Sequence, residues 1–243
     1  RTLDYARKGV LMASVSAIDI AVWDLKGKSL NLPVSTLLGG AFRNKIKPYA
    51  TGLYFSSIEN PSKNFEIELM DYLNRGFKAI KMKIGLGIEV DLKNIKYVRK
   101  VIGNDIKLMV DANHAYSLIE SIELSKKMEK YDISWFEEPM SPEYYKQYKE
   151  LREKTSIPVS AGECEYLRYG FHQLLENKSV DIIQPDICSC GGLSEAKKIS
   201  SLASLYGIDI IPHTWGSGLG IYVALNFIAN MEPNPIRLIE KDL

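Results

Sequence analysis

Three acidic residues recur at one interval along this chain: Asp111, Glu137 and Glu163, with 26 residues from each to the next. Each closes a short apolar run, in Lys-Leu-Met-Val-Asp, Ser-Trp-Phe-Glu and Ile-Pro-Val-Ser-Ala-Gly-Glu. An interval of this kind holds one strand, one helix and their loops. The same rhythm extends beyond the three acids. Short apolar runs fall at 46–50, 79–84, 107–111, 133–137, 157–163, 181–186, 208–213 and 236–240. Helical patterns fill most of the gaps, at 65–74, 90–101, 117–130, 143–154, 167–177 and 194–206. Strands that alternate with helices pair in parallel through right-handed crossovers.

Local signals agree with this division. Ser117 followed by Glu120 is a capping box, and Ser194 before Glu195-Ala196 reads as a second helix start. Gly76, Gly103 and Gly207 lie just past helix ends. Upstream, Ile18, Ala21, Val22 and Leu25 fall at helical spacing and predict a helix over 11–28. Pro33 opens a second short helix that Gly39-Gly40 stops. Asn60-Pro61 and Pro142 mark loops.

Eight runs fit an α/β fold of the TIM type, a (β/α)7β barrel. An open doubly wound sheet is the rival, but it gathers its chemistry at one switch point rather than at successive strand ends. The expected division is a helical segment over 1–44 and the barrel over 45–243. Bulk properties exclude several classes. The net charge is +1 with no basic block, which gives no electrostatic case for nucleic acid or an acidic membrane surface. No apolar run is long enough to span a bilayer. Cys164, Cys188 and Cys190 are sparse and odd in number, and Cys188-x-Cys190 is too close for a relaxed disulfide. A reduced, cytoplasmic protein is expected.

In a barrel the C-terminal ends of the strands converge on one face, so reading them in order reads a site. Asp111, Glu137 and Glu163 offer hard oxygen donors with no thiolate or imidazole among them, a set that suits Mg²⁺ better than zinc. Strand alternation puts Lys81 and Lys83 on one side of the second strand. Two ammonium groups facing each other lose proton affinity, one way to make an amine a base. Asp186 and His213 end adjacent strands, where a carboxylate would fix the imidazole tautomer. Glu240 ends the eighth run. Asn113 is placed to orient a ligand, His114 and Trp215 to line the pocket, and Glu138 to point away as a supporting group. A Schiff-base aldolase using Lys81 or Lys83 is the rival chemistry, and a non-catalytic barrel fragment or binding module the rival class.

Taken together, Lys81-x-Lys83-Ile-Gly, Val-Asp111-Ala-Asn113, Trp-Phe-Glu137-Glu-Pro, Ala-Gly-Glu163, Gln-Pro-Asp186 and Pro-His213 occur in an order that resembles the mandelate racemase/muconate lactonizing branch of the enolase superfamily. The segment ending Leu-Leu-Gly-Gly near residue 40 resembles the lead into that barrel. The resemblance implies that Asp111, Glu137 and Glu163 bind Mg²⁺, and that Lys83 takes the proton alpha to a substrate carboxylate. Lys81 would assist it, His213 with Asp186 would act on the opposite face, and Glu240 would bond the enolate. Such sites pair a Lys or His base with Mg²⁺ at an ene-diolate. The resemblance also implies an N-terminal α+β capping domain, which these residues mostly lack, and a homo-oligomer. The surroundings of Glu163 and His213 look closest to acid-sugar dehydratases and aldarolactone cycloisomerases. The expected activity is therefore a Mg²⁺-dependent dehydration of a small sugar acid, with racemisation or cycloisomerisation as alternatives.

Overall fold

A computed structural model of the chain describes residue 5, residues 7–54 and residues 61–232. The eighth apolar run and Glu240 lie outside the described residues. Seven strands are present among them, all parallel and following one another in chain order: β1 (Ala50–Gly52), β2 (Ala79–Lys83), β3 (Lys107–Asp111), β4 (Ile133–Glu137), β5 (Val159–Ala161), β6 (Ile182–Ile183) and β7 (Asp209–Ile210). The helices are α1 (Val10–Leu30), α2 (Val34–Leu37), α3 (Pro61–Asn74), α4 (Ile88–Ile102), α5 (Leu118–Met128), α6 (Tyr145–Lys154), α7 (Leu167–Glu176), α8 (Gly192–Tyr206) and α9 (Gly218–Asn230). A 3₁₀ turn over Glu129–Tyr131 follows α5. Two compact units divide the chain: Pro48–Ser160 with Ser179–Asp181, and Arg1–Lys47 with Ala161–Lys178 and Ile182–Leu243.

The first unit carries β1 to β4, most of β5, and α3 to α6. The register of β2 on β3 aligns Lys81 with Met109 and Lys83 with Asp111, and that of β3 on β4 aligns Asp111 with Glu137. Its core holds Ile80, Met82, Leu108, Val110, Phe136 and Val159 from the strands, and Ile95, Val98, Leu124 and Leu151 from the helices. Ser117 caps α5 in a complete capping box with Glu120, as its spacing predicts.

Arg99 on α4 fastens the base of this unit. Its guanidinium donates to the carbonyls of Tyr131 (2.9 Å), Gly103 and Ile106 (2.8 Å each) and Asp132 (2.9 Å), in the turns that lead into β3 and β4. A buried carbonyl left without a partner costs about 1–3 kcal/mol. Arg99→Met, which keeps the apolar stem but none of the donors, is expected to lower unfolding free energy by about 3 kcal/mol or more. Urea denaturation of the full-length variant checks this.

The second unit is built around α1, α7, α8 and α9 with β6 and β7. Helix α1 forms where expected but buries a different face. Ile18, Val22 and Leu25, the residues that betray its period, are exposed; Met12, Ser16, Ile20 and Gly27 are buried. The reason is polar. Ser16 Oγ accepts from Gly191 N (2.9 Å), Asp19 accepts from Ser194 N (3.0 Å), and Trp23 Nε1 donates to Ser194 Oγ (2.9 Å). One face of α1 thus supplies acceptors to the unpaired N–H groups that open α8. Ser194 is accordingly not the cap: α8 starts two residues earlier, after Gly191. Gly192 has φ 79°, and a Cβ there would fall 2.4 Å from Asp19 Oδ2. The Gly191-Gly192 pair is what lets α1 approach.

Candidate active site

In the first unit, the end of β2 meets the ends of β3 and β4. Asp111 is 0% and Glu137 1% exposed, and Lys81 is 2% exposed. Lys81 Nζ pairs with Glu137 Oε1 and lies 3.6 Å from Asp111 Oδ2. Lys83 pairs with Asp111 Oδ2 and donates to Asn113 Oδ1 at 2.6 Å. Both lysines point to one side, as strand alternation requires. Each has a carboxylate for a neighbour, however, and this reverses the expected effect on Lys81. Burial alone would weaken its hold on the proton, but the negative charges of Glu137 and Asp111 outweigh burial, and the ammonium is held well above the ordinary lysine range. That is the opposite of what a Schiff-base amine needs. Asp111 is likewise pushed up by burial but held below the usual carboxylate range by Lys81 and Lys83.

The loops after these strands are strained in a consistent way. Asn113, His114 and Glu138 all have left-handed backbones, with φ of 40°, 68° and 43°. A non-glycine residue in that region costs about 1–3 kcal/mol unless its surroundings impose it. Here a ladder of backbone bonds does so: Ala112 N to Glu137 O (3.0 Å), His114 N to Glu138 O (2.7 Å) and Tyr116 N to Pro139 O (3.0 Å). The outcome is that Asn113 N donates to Asp111 Oδ1 (3.0 Å) while its side-chain oxygen receives Lys83. Asn113 therefore orients both. Glu138 is buried beside His114, with its Oε2 3.1 Å from Nε2; His114 Nδ1 lies 3.1 Å from the Met140 carbonyl. Nδ1 thus faces a carbonyl oxygen and Nε2 a buried carboxylate, both inside this unit.

Asp91, buried at the start of α4, holds the loop that follows Lys83. It accepts from Gly85 N (2.7 Å) and Leu86 N (3.3 Å), and from the hydroxyl of Tyr116. Burial raises its carboxyl above the usual range, although these three donors oppose the shift.

Aromatic groups around the lysines escape a sequence reading. Lys81 Nζ lies 5.8 Å from the ring centre of Tyr49, and Lys83 Nζ 5.7 Å from that of Tyr54. Trp135 Nε1 donates to Glu137 Oε2 at 3.0 Å. An aromatic two residues before a strand-end acid reads as ordinary core, and only strand alternation hints that Trp135 shares the side of Glu137.

The second unit brings Glu163, Asp186 and His213 together. Asp186 and His213 form an isolated parallel bridge at the ends of β6 and β7. Asp186 Oδ2 lies 2.7 Å from His213 Nδ1, and its Oδ1 accepts from Cys188 N at 2.7 Å. A carboxylate accepts only, so Nδ1 carries the proton and Nε2 is left for proton exchange. Glu163 Oε2 is buried without an aligned hydrogen bond among the described residues, 3.2 Å from that Nε2. All three cysteines are free thiols. Burial, reinforced by Asp186, pushes Cys188 and Cys190 up, away from the thiolate form. Trp215 is 77% exposed just beyond His213.

The donor chemistry suits a hard divalent cation. Asp111 and Glu137 stand in register as buried carboxylates in one unit, and Glu163 offers an oxygen without an aligned partner in the other. No described helix is long and apolar enough to cross a membrane.

Comparison with known proteins places the chain. Residues 65–240 match the family described as enolase C-terminal domain-like, and residues 2–39 match the mandelate racemase/muconate lactonizing enzyme N-terminal domain. The chain is 44% identical over 236 residues to D-galactarolactone cycloisomerase of Agrobacterium fabrum, covering 97% of this chain and 62% of that protein. It is 37% identical over 229 residues to arabinonate dehydratase of Saccharolobus solfataricus, covering 94% and 61%. The crystal structure of the 3,6-anhydro-D-galactonate cycloisomerase from Zobellia galactanivorans superposes with a TM-score of 0.91 at 57% identity, over 96% of this chain and 64% of that one. The chain therefore spans less than two thirds of the length of these relatives, and its fold is the TIM-type α/β fold expected from the run of strands. It belongs to the mandelate racemase/muconate lactonizing enzyme family of the enolase superfamily.

Proposed function

We propose that the full-length protein removes the proton alpha to the carboxylate of a sugar acid and then expels the oxygen on the beta carbon. The observation that carries this reading is the strand-end set: a lysine pair beside two buried carboxylates in one unit, and a carboxylate-oriented histidine in the other. Lys83 is the base, with 11% of its side chain exposed, and Lys81 is the fixed cation that faces the substrate carboxylate. Asp111, Glu137 and Glu163 would hold Mg²⁺. That ion, when bound, would stabilise the negative charge that develops on the carboxylate as the proton leaves. His213, doubly protonated with its Nδ1 proton directed at Asp186, delivers the Nε2 proton to the departing oxygen and keeps the one on Nδ1. Asn113 and Trp215 contact substrate, His114 lines the pocket, and Glu240 is the donor to the enolate from the eighth strand.

The leaving group decides the class of enzyme. If the beta oxygen is a free hydroxyl, water departs and the reaction is a dehydration. If that oxygen is tethered in a ring, the same elimination opens the ring and the product is an isomer. Cycloisomerases at 57% and 44% identity favour the tethered oxygen over the water that the residues alone suggest. The arabinonate dehydratase at 37% keeps dehydration as the second reading.

Incubation of the full-length protein with lactone, anhydro and open-chain sugar acids, with product masses compared to substrate, separates the two. An unchanged mass with a new keto signal supports ring opening, and loss of one water supports dehydration. Chelation by EDTA is expected to abolish either reaction. Saturating Mg²⁺ should also raise the melting temperature, since a ligand at 100 times its Kd stabilises by about 2.7 kcal/mol. A protein indifferent to EDTA, or inert toward every sugar acid, would contradict the proposal.

A further inference from the structure

We propose that Trp135 is a positioning residue for the cation ligand Glu137, its indole N–H fixing the carboxylate in the orientation from which it binds a divalent ion. This rests on the reading of Glu137 as a ligand given above. The geometry is a closed ring of four side chains within one unit. Trp135 donates to Glu137 Oε2 at 3.0 Å, and Lys81 pairs with Glu137 Oε1. The Lys81 ammonium lies over the ring of Tyr49, 5.8 Å from its centre. Tyr49 packs edge-on against Trp135 with ring centres 5.4 Å apart and planes at 81°. Trp135 is 8% exposed, so its polar atom has no bulk water to turn to.

The two donors to Glu137 differ in kind. Lys81 brings a charge and offsets that of the carboxylate. The indole is neutral, donates only, and cannot take up or release a proton at ordinary pH. It restrains rotation of the carboxylate while leaving its anionic charge available to a cation. Period-two alternation places Trp135 on the same side of β4 as Glu137, and the edge contact with Tyr49 keeps the indole from turning. Partners that orient a ligand in this way are worth about 10–100-fold in metal affinity.

The experiment is Mg²⁺ titration calorimetry on the full-length protein and three variants, with metal-free melting temperatures measured alongside. Trp135→Phe keeps a ring against Tyr49 but removes the N–H; its Mg²⁺ Kd should rise about 10–100-fold. Trp23→Phe removes an indole N–H of equal quality that bonds Ser194 instead, and its Mg²⁺ Kd should match wild type. Tyr49→Leu reaches the same ring from the other side and should also weaken Mg²⁺ binding, which keeps the test open if Trp135→Phe does not fold. Unchanged Mg²⁺ affinity in Trp135→Phe, with only a lowered melting temperature, would overturn the inference and leave the ligand reading standing. No Mg²⁺ binding by wild type would overturn both.

Discussion

Replacing Lys83 by Met should lower kcat by about 10²–10⁴-fold, the contribution expected of a positioned general base, while the fold survives. Lys83 reaches the end of β2 on the same side as Lys81 but is the less buried of the two, with 11% of its side chain exposed against 3%. Its Nζ is held between Asp111 Oδ2 and Asn113 Oδ1, so the nitrogen has a fixed position from which, as the neutral amine, it accepts the proton. Proximity of that kind matters more than nucleophilicity for removing a weakly acidic proton. Methionine retains the stem and the packing but has no group that binds a proton. It also leaves Asp111 without one of its cations, and breaking a buried pair costs about 3–5 kcal/mol. The loss of turnover must therefore be measured with Mg²⁺ present and with circular dichroism confirming the fold. Full activity in a folded Lys83→Met protein would remove Lys83 from the mechanism.

The second large effect is expected at His213. His213→Asn should also reduce turnover by about 10²–10⁴-fold, because Nε2 is the proton donor to the leaving oxygen. Asp186→Asn should approach the same loss without touching the imidazole. To donate from Nε2 the imidazole must carry a proton on both nitrogens; the Asp186 carboxylate, 2.7 Å from Nδ1, stabilises that cation, and a neutral asparagine does not. Asp186 is itself fixed by the Cys188 N–H at 2.7 Å. If Asp186→Asn and Asp186→Ala were both fully active, the dyad would be structural.

How much of this was legible in the residues depends on the kind of information required. Strand ends announce themselves, because an acid that closes an apolar run interrupts a pattern, and the 26-residue spacing of Asp111, Glu137 and Glu163 repeats the interruption. The Asp186–His213 pair was legible for the same reason. Orientation was harder to read. The visible apolar stripe of α1 is its exposed face, since the buried face uses Ser16 and Asp19 to meet the start of α8 and so carries a weak hydrophobic signal. Two lysines at i and i+2 look like mutual neighbours, which hides the acids that set the proton affinity of Lys81. The carboxylates that dominate them come from strands 28 and 56 positions away. Trp135 and Tyr49 look like core aromatics, and the polar duty of the indole appears only when Glu137 is seen beside it. The left-handed turn at 113–114, which sets His114 Nδ1 3.1 Å from the Met140 carbonyl, is demanded by no residue in the stretch.

The division of labour between Lys83 and His213 is the centre of this account, and hydrogen exchange tests it without depending on which sugar acid is turned over fastest. The full-length protein with Mg²⁺ and a sugar acid substrate is incubated in D₂O, and recovered substrate is weighed by mass spectrometry. His213→Asn should return substrate carrying one deuterium on the alpha carbon, because Lys83 still removes and replaces that proton while elimination stalls. Lys83→Met should return substrate without deuterium. Exchange that persists in Lys83→Met, or that vanishes in a folded, Mg²⁺-binding His213→Asn, would contradict the assignment of the proton abstraction to Lys83.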